Sequence, residues 1–219
     1  MLCDSPIALI AGAGPGIGRA TASRFAAEGF QVAVLARPDT AEALQEEIHG
    51  PSSLILGVDV ADRRALGEAL ARVEAELGFP EVLVWNASHG HPGCITQVED
   101  VALLGDLEAN LLAPLDAVRW ALPAMRSAAR GSILITGGGL GLDPKPPMAS
   151  SSLGKALQRH LALLLDGELR EAGIHAATLT VCGFVQPGTP LSPDAVAGAL
   201  WDLHAQEMGS WERERLLRG

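Results

Sequence analysis

Short apolar runs alternate with longer helix-forming windows along almost the whole chain. That alternation limits the possible folds more than any other feature. Ile7–Ala11, Gln31–Ala36, Ser53–Val58, Glu81–Trp85, Ser132–Thr136 and His175–Val181 are rich in Val, Ile and Leu and end at Gly, Pro or charge, which is how buried strands read. Their nearly continuous apolar character suits a parallel sheet covered on both faces. Between them lie Ile17–Glu28, Thr40–His49, Asp62–Leu77, Asp100–Ala128 and Met148–Glu171, dominated by Ala, Leu, Glu and Arg, all good helix formers. Ser192-Pro193-Asp194 places a cap and a first-turn proline at the start of a helix over Pro193–Gln206. Trp211–Leu217 reads as a last, edge strand in spite of its charges. The pattern predicts one α/β domain over residues 1–219, a doubly wound parallel sheet with right-handed crossovers and helices on both faces.

The first predicted strand runs into Gly12-Ala13-Gly14-Pro15-Gly16-Ile17-Gly18-Arg19, and a helix follows. Glycines there permit a tight turn and let backbone N–H groups approach a pyrophosphate, while the helix presents its positive end to the phosphate charge. A G-x-G-x-x-G fingerprint needs glycine where Ile17 stands. A G-x-x-x-x-G-K phosphate loop needs a lysine that is missing. The spacing that fits is G-x-x-x-G-x-G at Gly12, Gly16 and Gly18, so Gly12, Gly14, Gly16, Ile17 and Gly18 are the candidate dinucleotide cradle. The plain alternative is a glycine-rich turn that binds nothing. At the end of the second strand an acidic residue would grip a ribose hydroxyl, whereas an arginine accommodates a 2′-phosphate. Here Arg37 stands in that place and Asp39 falls beyond Pro38, so NADP(H) is expected in preference to NAD(H).

Charge and composition narrow the remaining classes. Lys and Arg number 16 against 26 Asp and Glu, a net charge of -10, which disfavours nucleic-acid binding. No uninterrupted apolar stretch is long enough for a transmembrane helix. The first residues, Met1 to Pro6, lack the basic and apolar regions of a signal peptide. Three cysteines (Cys3, Cys94 and Cys182) stand far apart with no C-x-x-C pair. That predicts reduced thiols in a cytoplasmic protein, with no zinc site of cysteine type and no metal assigned elsewhere.

Together these residues resemble the short-chain dehydrogenase/reductase family, over about Ile7 to Gln206. Gly12, Gly16 and Gly18 match its glycine motif, and Asp59-Val60 looks like its adenine-contacting Asp. Trp85-Asn86-Ala87-Ser88 stands where the family has Asn-Asn-Ala-Gly, so Asn86 and Ala87 persist. Asn110 matches the helix asparagine that helps hold a proton-relay water, and Lys155 matches the lysine of Tyr-x-x-x-Lys. The resemblance implies about seven strands in the order 3-2-1-4-5-6-7. It also implies a nicotinamide cofactor bound by the cradle with Arg37, Asp59, Val60, Asn86, Ala87 and Lys155, a carbonyl or alcohol substrate, and a homo-oligomer (dimer or tetramer).

The departures carry equal weight. In the family a tyrosine is the general acid/base, a serine orients the carbonyl, and the lysine lowers the tyrosine pKa. Four residues before Lys155 stands Ser151, and thirteen before that Gly138; the chain has no tyrosine at all. A serine hydroxyl is far less acidic than a phenol of pKa about 10, and a positioned acid contributes about 10²–10⁴-fold. Asn110, Ser151 and Lys155 are therefore the candidate catalytic set of an atypical, impaired site; an NADP(H)-binding sensor or partner subunit is the alternative. Val181-Cys182-Gly183-Phe184-Val185 replaces the family's Pro-Gly segment, and the stretch on to Ser192 is short, which implies a reduced substrate lid.

Substitute groups are few. His89 and His91 follow Ala87-Ser88 and could donate a proton near neutral pH, but read more simply as solvated loop histidines. Thr136, two residues before Gly138, faces the same side of its strand and is a partial substitute for the missing serine. Ser152-Leu153-Gly154-Lys155 fits the S-x-x-K pair of penicillin-binding enzymes without its companion motifs. Leu161–Leu165, apolar almost all round, is expected to be buried on more than one side.

Overall fold

A computed structural model describes residues 5–48 and 53–219. The N-terminal expectations, including Cys3, and the end of the Thr40–His49 helix lie outside the described residues. Seven parallel strands form one sheet: β1 (Ile7–Ala11), β2 (Gln31–Ala36), β3 (Ser53–Gly57), β4 (Val82–Trp85), β5 (Gly131–Gly138), β6 (Ile174–Cys182) and β7 (Glu214–Arg218). Their order is β3-β2-β1-β4-β5-β6-β7, as expected. The helices are α1 (Ile17–Ala27), α2 (Pro38–Glu47), α3 (Arg63–Glu76), α4 (Asp100–Leu107), α5 (Ala113–Ala128), α6 (Ala149–Leu169) and α7 (Pro193–His204).

Side chains along a strand point alternately to the two faces, and each face has its own core. Leu9, Ala11, Leu35, Leu83, Trp85 and Ile133 pack against α3, α5 and α6. Ala8, Ile10, Val34, Val84 and Leu134 pack against Phe25 of α1, Leu44 of α2 and Leu200 of α7. With both faces covered, the strands read as unbroken apolar runs. The chain order reverses between β1 and β4, and at the carboxyl end of β1 Ala11 lies opposite Leu35 of β2 on one side and Trp85 of β4 on the other. In an open α/β sheet, ligands bind at such a reversal.

Charge did not prevent β7 from forming, because Glu214 and Arg215 are paired, Arg215 with Glu212. Arg159 donates two hydrogen bonds to Glu214, at 2.7 and 2.6 Å, and Thr180 donates a third at 2.9 Å. The window Asp100–Ala128 is not one α-helix. A π-turn, Glu108–Leu112, separates α4 from α5. Pro114 has no N–H to give the carbonyl of Asn110, four residues earlier, so the regular ladder fails there. In the run Leu161–Leu165, Leu161 and Leu165 are buried within the chain, while Leu164 is 72% exposed, so the chain itself covers this run on one side and leaves the other open. Among the described residues, no helix is long and apolar enough to cross a membrane.

Candidate active site

The glycine loop sits over the reversal point and is shaped by backbone contacts. Gly12 has φ +86°, and a Cβ on it would lie 2.3 Å from the Ala87 nitrogen. A Cβ on Gly18 would lie 2.4 Å from the Ala13 Cα. These two glycines are required by the fold itself. Gly14 and Gly16 differ, since a Cβ on either would meet nothing within 4 Å. The space above them is open, as a pyrophosphate site needs. Gly16 caps α1 without a side-chain acceptor, leaving the first-turn N–H groups of Ile17 and its neighbours facing a site suited to an anion. Asn86 fixes the loop from the side, its Nδ2 donating to the Gly12 carbonyl at 2.8 Å.

Two adjoining cavities share Gly12, Gly14 and Asn86. The first, of about 510 Å³, is lined by Arg37, Asp59, Val60, Ala87 and His89, among others. Asp59 accepts from the Ala61 N–H at 3.0 Å, which fixes the loop after β3. Arg37 is 76% exposed, with Asp39 3.9 Å away as its nearest counter-charge. The second cavity, of about 660 Å³, is lined by Gly16, Ile17, Gly18, Thr136, Gly138, Lys155 and Val181, among others. Neither Phe184 nor Met148 fills it; they are 90% and 46% exposed. The sequence-predicted cofactor residues therefore converge on one continuous cleft, and its fit to a dinucleotide rests on the open backbone cradle.

Behind Thr136 and Lys155, which line the second cavity, runs a connected polar chain. Lys155 Nζ donates to the Thr136 carbonyl at 2.8 Å and to Gln158 Oε1 at 2.9 Å. Desolvation lowers its ammonium pKa to about 8. Gln158 Nε2 donates to the Ala87 carbonyl at 2.8 Å and to Asn110 Oδ1 at 3.3 Å. Asn110 Nδ2 donates to the carbonyls of His89 and Asp106, at 2.7 and 2.8 Å. Asn110 and Lys155 thus belong to one network, joined by a glutamine that sequence reasoning did not single out. Its only signal was helical spacing, three residues after Lys155.

Ser151 lies apart from that network. A Cβ on Gly90 would fall 2.2 Å from Ser151 Oγ, so the 89–91 segment lies directly against it. A Cβ on Gly138 would meet the Lys155 side chain at 3.4 Å. Thr136 Oγ1 is buried without a hydrogen-bond partner, which weakens it as a stand-in. Ser152 Oγ donates to the Met148 carbonyl and accepts from the Lys145 N–H, while Lys155 is engaged elsewhere. The S-x-x-K pair is not assembled.

His89 and His91 lie on a loop with half-exposed rings, as expected, but they are not free of partners. Both rings turn Nδ1 toward Asp106 Oδ1, at 2.7 and 3.0 Å. The Asp106 side chain is only 2% exposed, and it also receives the Ser150 hydroxyl. Burial pushes the Asp106 carboxyl up, but hydrogen bonds from Ser150, His91 and His89 outweigh it and leave the group below the usual carboxylate range. The available signal was Asp106 standing one helical turn before Asn110.

The short chain dehydrogenase family profile matches residues 6–196, and the chain belongs to that family of nicotinamide-dependent oxidoreductases. The oxidoreductase asL5 of Sarocladium schorii is 32% identical over 176 residues, 79% of this chain and 70% of that protein. The 2,3-dihydro-2,3-dihydroxybenzoate dehydrogenase of Bacillus subtilis is 28% identical over 219 residues, 99% of this chain and 78% of that protein. A metagenomic short-chain oxidoreductase solved with NADP superposes with a TM-score of 0.86 at 27% identity, covering 97% of this chain and 96% of that one.

Proposed function

We propose that the protein is an NADP(H)-dependent oxidoreductase that moves hydride between the cofactor and an activated carbonyl, enone or quinone, with weak proton delivery. The observation that carries this reading is the open cleft, which joins the glycine cradle, Arg37 and Lys155. When bound, the nicotinamide supplies or accepts the hydride. The chain's own residues do the rest. Gly14, Gly16 and Ile17 hold the pyrophosphate by backbone, Arg37 answers a 2′-phosphate, Asp59 and Val60 line the adenine end, and Asn86, Ala87 and Lys155 border the ribose. Asn110 positions the segment carrying His89. Ser151 is the only hydroxyl at the position of the family's tyrosine, and a serine moves a proton poorly. An acceptor that needs little protonation suits such a site. The ten residues between Cys182 and Pro193 make a short lid, which excludes water less well.

A second reading, a non-catalytic NADP(H) sensor or partner subunit, is favoured by Gln158. An amide side chain bridges Lys155 and Asn110, where the family places a relay water, and an amide does not pass protons as water does. Exposed Val101, Leu104, Leu153 and Leu164 on α4 and α6 favour a homo-oligomer over a monomer, and reduced thiols fit the cytoplasm.

One experiment separates these readings. Purified protein is titrated with NADPH and NADH by nucleotide fluorescence, and a carbonyl and quinone panel is then added. Tight NADPH binding with turnover of activated acceptors is the expected result. Binding without turnover favours the sensor, and no binding of either nucleotide overturns both.

A further inference from the structure

We propose that His89, His91 and Asp106 form a binding site for a divalent transition-metal ion, zinc above all. The ion site stands independently of the oxidoreductase reading; only a role for the ion as an electrophile would rest on it.

The three donor atoms, two imidazole nitrogens and a carboxylate oxygen, lie within 4.8 Å of one another. His89 Nδ1 is 2.7 Å from Asp106 Oδ1, and His91 Nδ1 is 3.0 Å from each carboxylate oxygen. Ligands on a zinc ion at about 2.0–2.1 Å stand roughly 3.3 Å apart in tetrahedral geometry. The two His–Asp separations therefore need only a few tenths of an ångström of opening to admit the ion, and the two imidazole donors lie within 4.8 Å of each other.

The charge balance favours a cation. Asp106 is buried, and among the described residues no Lys or Arg pairs with it; its only charge partners are the two imidazoles. A buried carboxylate without a permanent counter-charge is unfavourable, and a bound ion supplies one. The His91 N–H and the Ser150 hydroxyl reach Asp106 Oδ2, holding the carboxylate from outside as outer-sphere partners hold a metal ligand. The loop is built to bring both rings back to one point. Gly90, between the histidines, sits where any side chain would strike Ser151.

Donor type sets the metal class. Two nitrogens and one oxygen suit zinc, cobalt or nickel, whereas magnesium and calcium prefer oxygen alone. Three protein donors are one fewer than a closed zinc site uses, so a position remains for water or a substrate oxygen. Through Gly90 the cluster borders Ser151, which places the ion beside the position that lacks the family's phenol.

The test uses untagged full-length protein stripped with EDTA and titrated with Co²⁺ and Zn²⁺. The expected result is one ion per chain, with cobalt absorption bands in the visible region. His91→Gln, and separately His89→Gln, should weaken binding by roughly 100-fold or more, beyond the ~10–100-fold seen for outer-sphere partners. Both rings are half-exposed, so these variants should fold, and NADPH titration of His91→Gln gives a fold check outside the metal readout. Absence of cobalt bands with no stoichiometric zinc uptake overturns the proposal. So does uptake unchanged in both variants, which would mean binding at other histidines. NADPH binding can fail without affecting the metal result, so the two readings fail separately.

Discussion

The two halves of the cleft lie along one sheet edge yet are built differently. Around β1, β2 and β4 the site is almost all backbone: Gly12 folded over Ala87, the free space over Gly14 and Gly16, and the uncapped start of α1. Around β5, β6 and α6 it depends on particular side chains, and there the chain offers Ser151 and Gly138 with an amide bridging Lys155 and Asn110. Backbone recognition survives wherever the fold survives. Proton transfer needs a group of suitable acidity at one place, and a single replacement removes it.

The largest effect should come from rebuilding the second half. A Cβ on Gly138 fits at 3.4 Å from the Lys155 side chain, so Gly138→Ser is tolerable, and Ser151→Tyr restores the phenol at the cost of shifting the 89–91 segment. The double variant is expected to raise kcat/KM for a simple carbonyl by about 10²–10⁴-fold, with NADPH affinity little changed. Intact NADPH binding without any gain would mean that the substrate pocket, and not the missing acid, separates the halves.

The first half can be broken in two distinguishable ways. Gly12→Val puts a side chain into the Ala87 backbone at a positive φ and should destabilise the fold by about 3 kcal/mol or more. Gly14→Ala meets no protein atom within 4 Å. It should leave the melting temperature nearly unchanged while weakening NADPH binding about tenfold, because its methyl intrudes on the phosphate space. Equal effects on stability and binding in both variants would refute the division between fold glycines and ligand glycines.

How much of this could be read from the sequence follows the same division. Strands buried on both faces give unbroken apolar runs, so the sheet was legible, and its order came with the family resemblance. The cradle was legible because glycine spacing reports backbone geometry directly. The β7 strand was legible, but not what compensates the Glu214 charge in it, because its partners Arg159 and Thr180 lie far away in the sequence. The π-turn was hidden because helix composition continues through Asn110. Gln158 and Asp106 looked like ordinary helix residues, since only tertiary packing brings them to Lys155 and the two histidines.

A smaller effect is expected at the edge of the first half. Arg37 is 76% exposed and holds only a distant pairing with Asp39, so it is available to a 2′-phosphate but worth little in stability. Arg37→Ser should reduce the preference for NADPH over NADH by roughly tenfold, about 1.4 kcal/mol, with no change in the unfolding midpoint. An unchanged ratio in fluorescence titrations of both nucleotides would remove Arg37 from the cofactor site.

The smallest predicted effect tests how dry the second half is. Burial lowers the Lys155 pKa to about 8 from 10.5. Below pH 8 the ammonium is protonated in both folded and unfolded chains, and the folded state carries the full penalty of burying it. Between pH 8 and 10.5 the unfolded chain binds more protons than the folded one, so stability rises with pH. Above that window both forms are neutral and the slope vanishes. The slope for one group cannot exceed about 1.4 kcal/mol per pH unit, and solvent in the cleft reduces it. Relative to Lys155→Met, the wild type should gain on the order of 1–3 kcal/mol between pH 7.5 and 10.5 in denaturant unfolding. The sequence suits the measurement, since it holds only two lysines, Lys145 and Lys155, and no tyrosine, and subtracting the variant cancels Lys145 and the cysteines. A flat difference would mean that water reaches the ammonium, so that the second half differs from the first in acidity alone and not in exclusion of solvent.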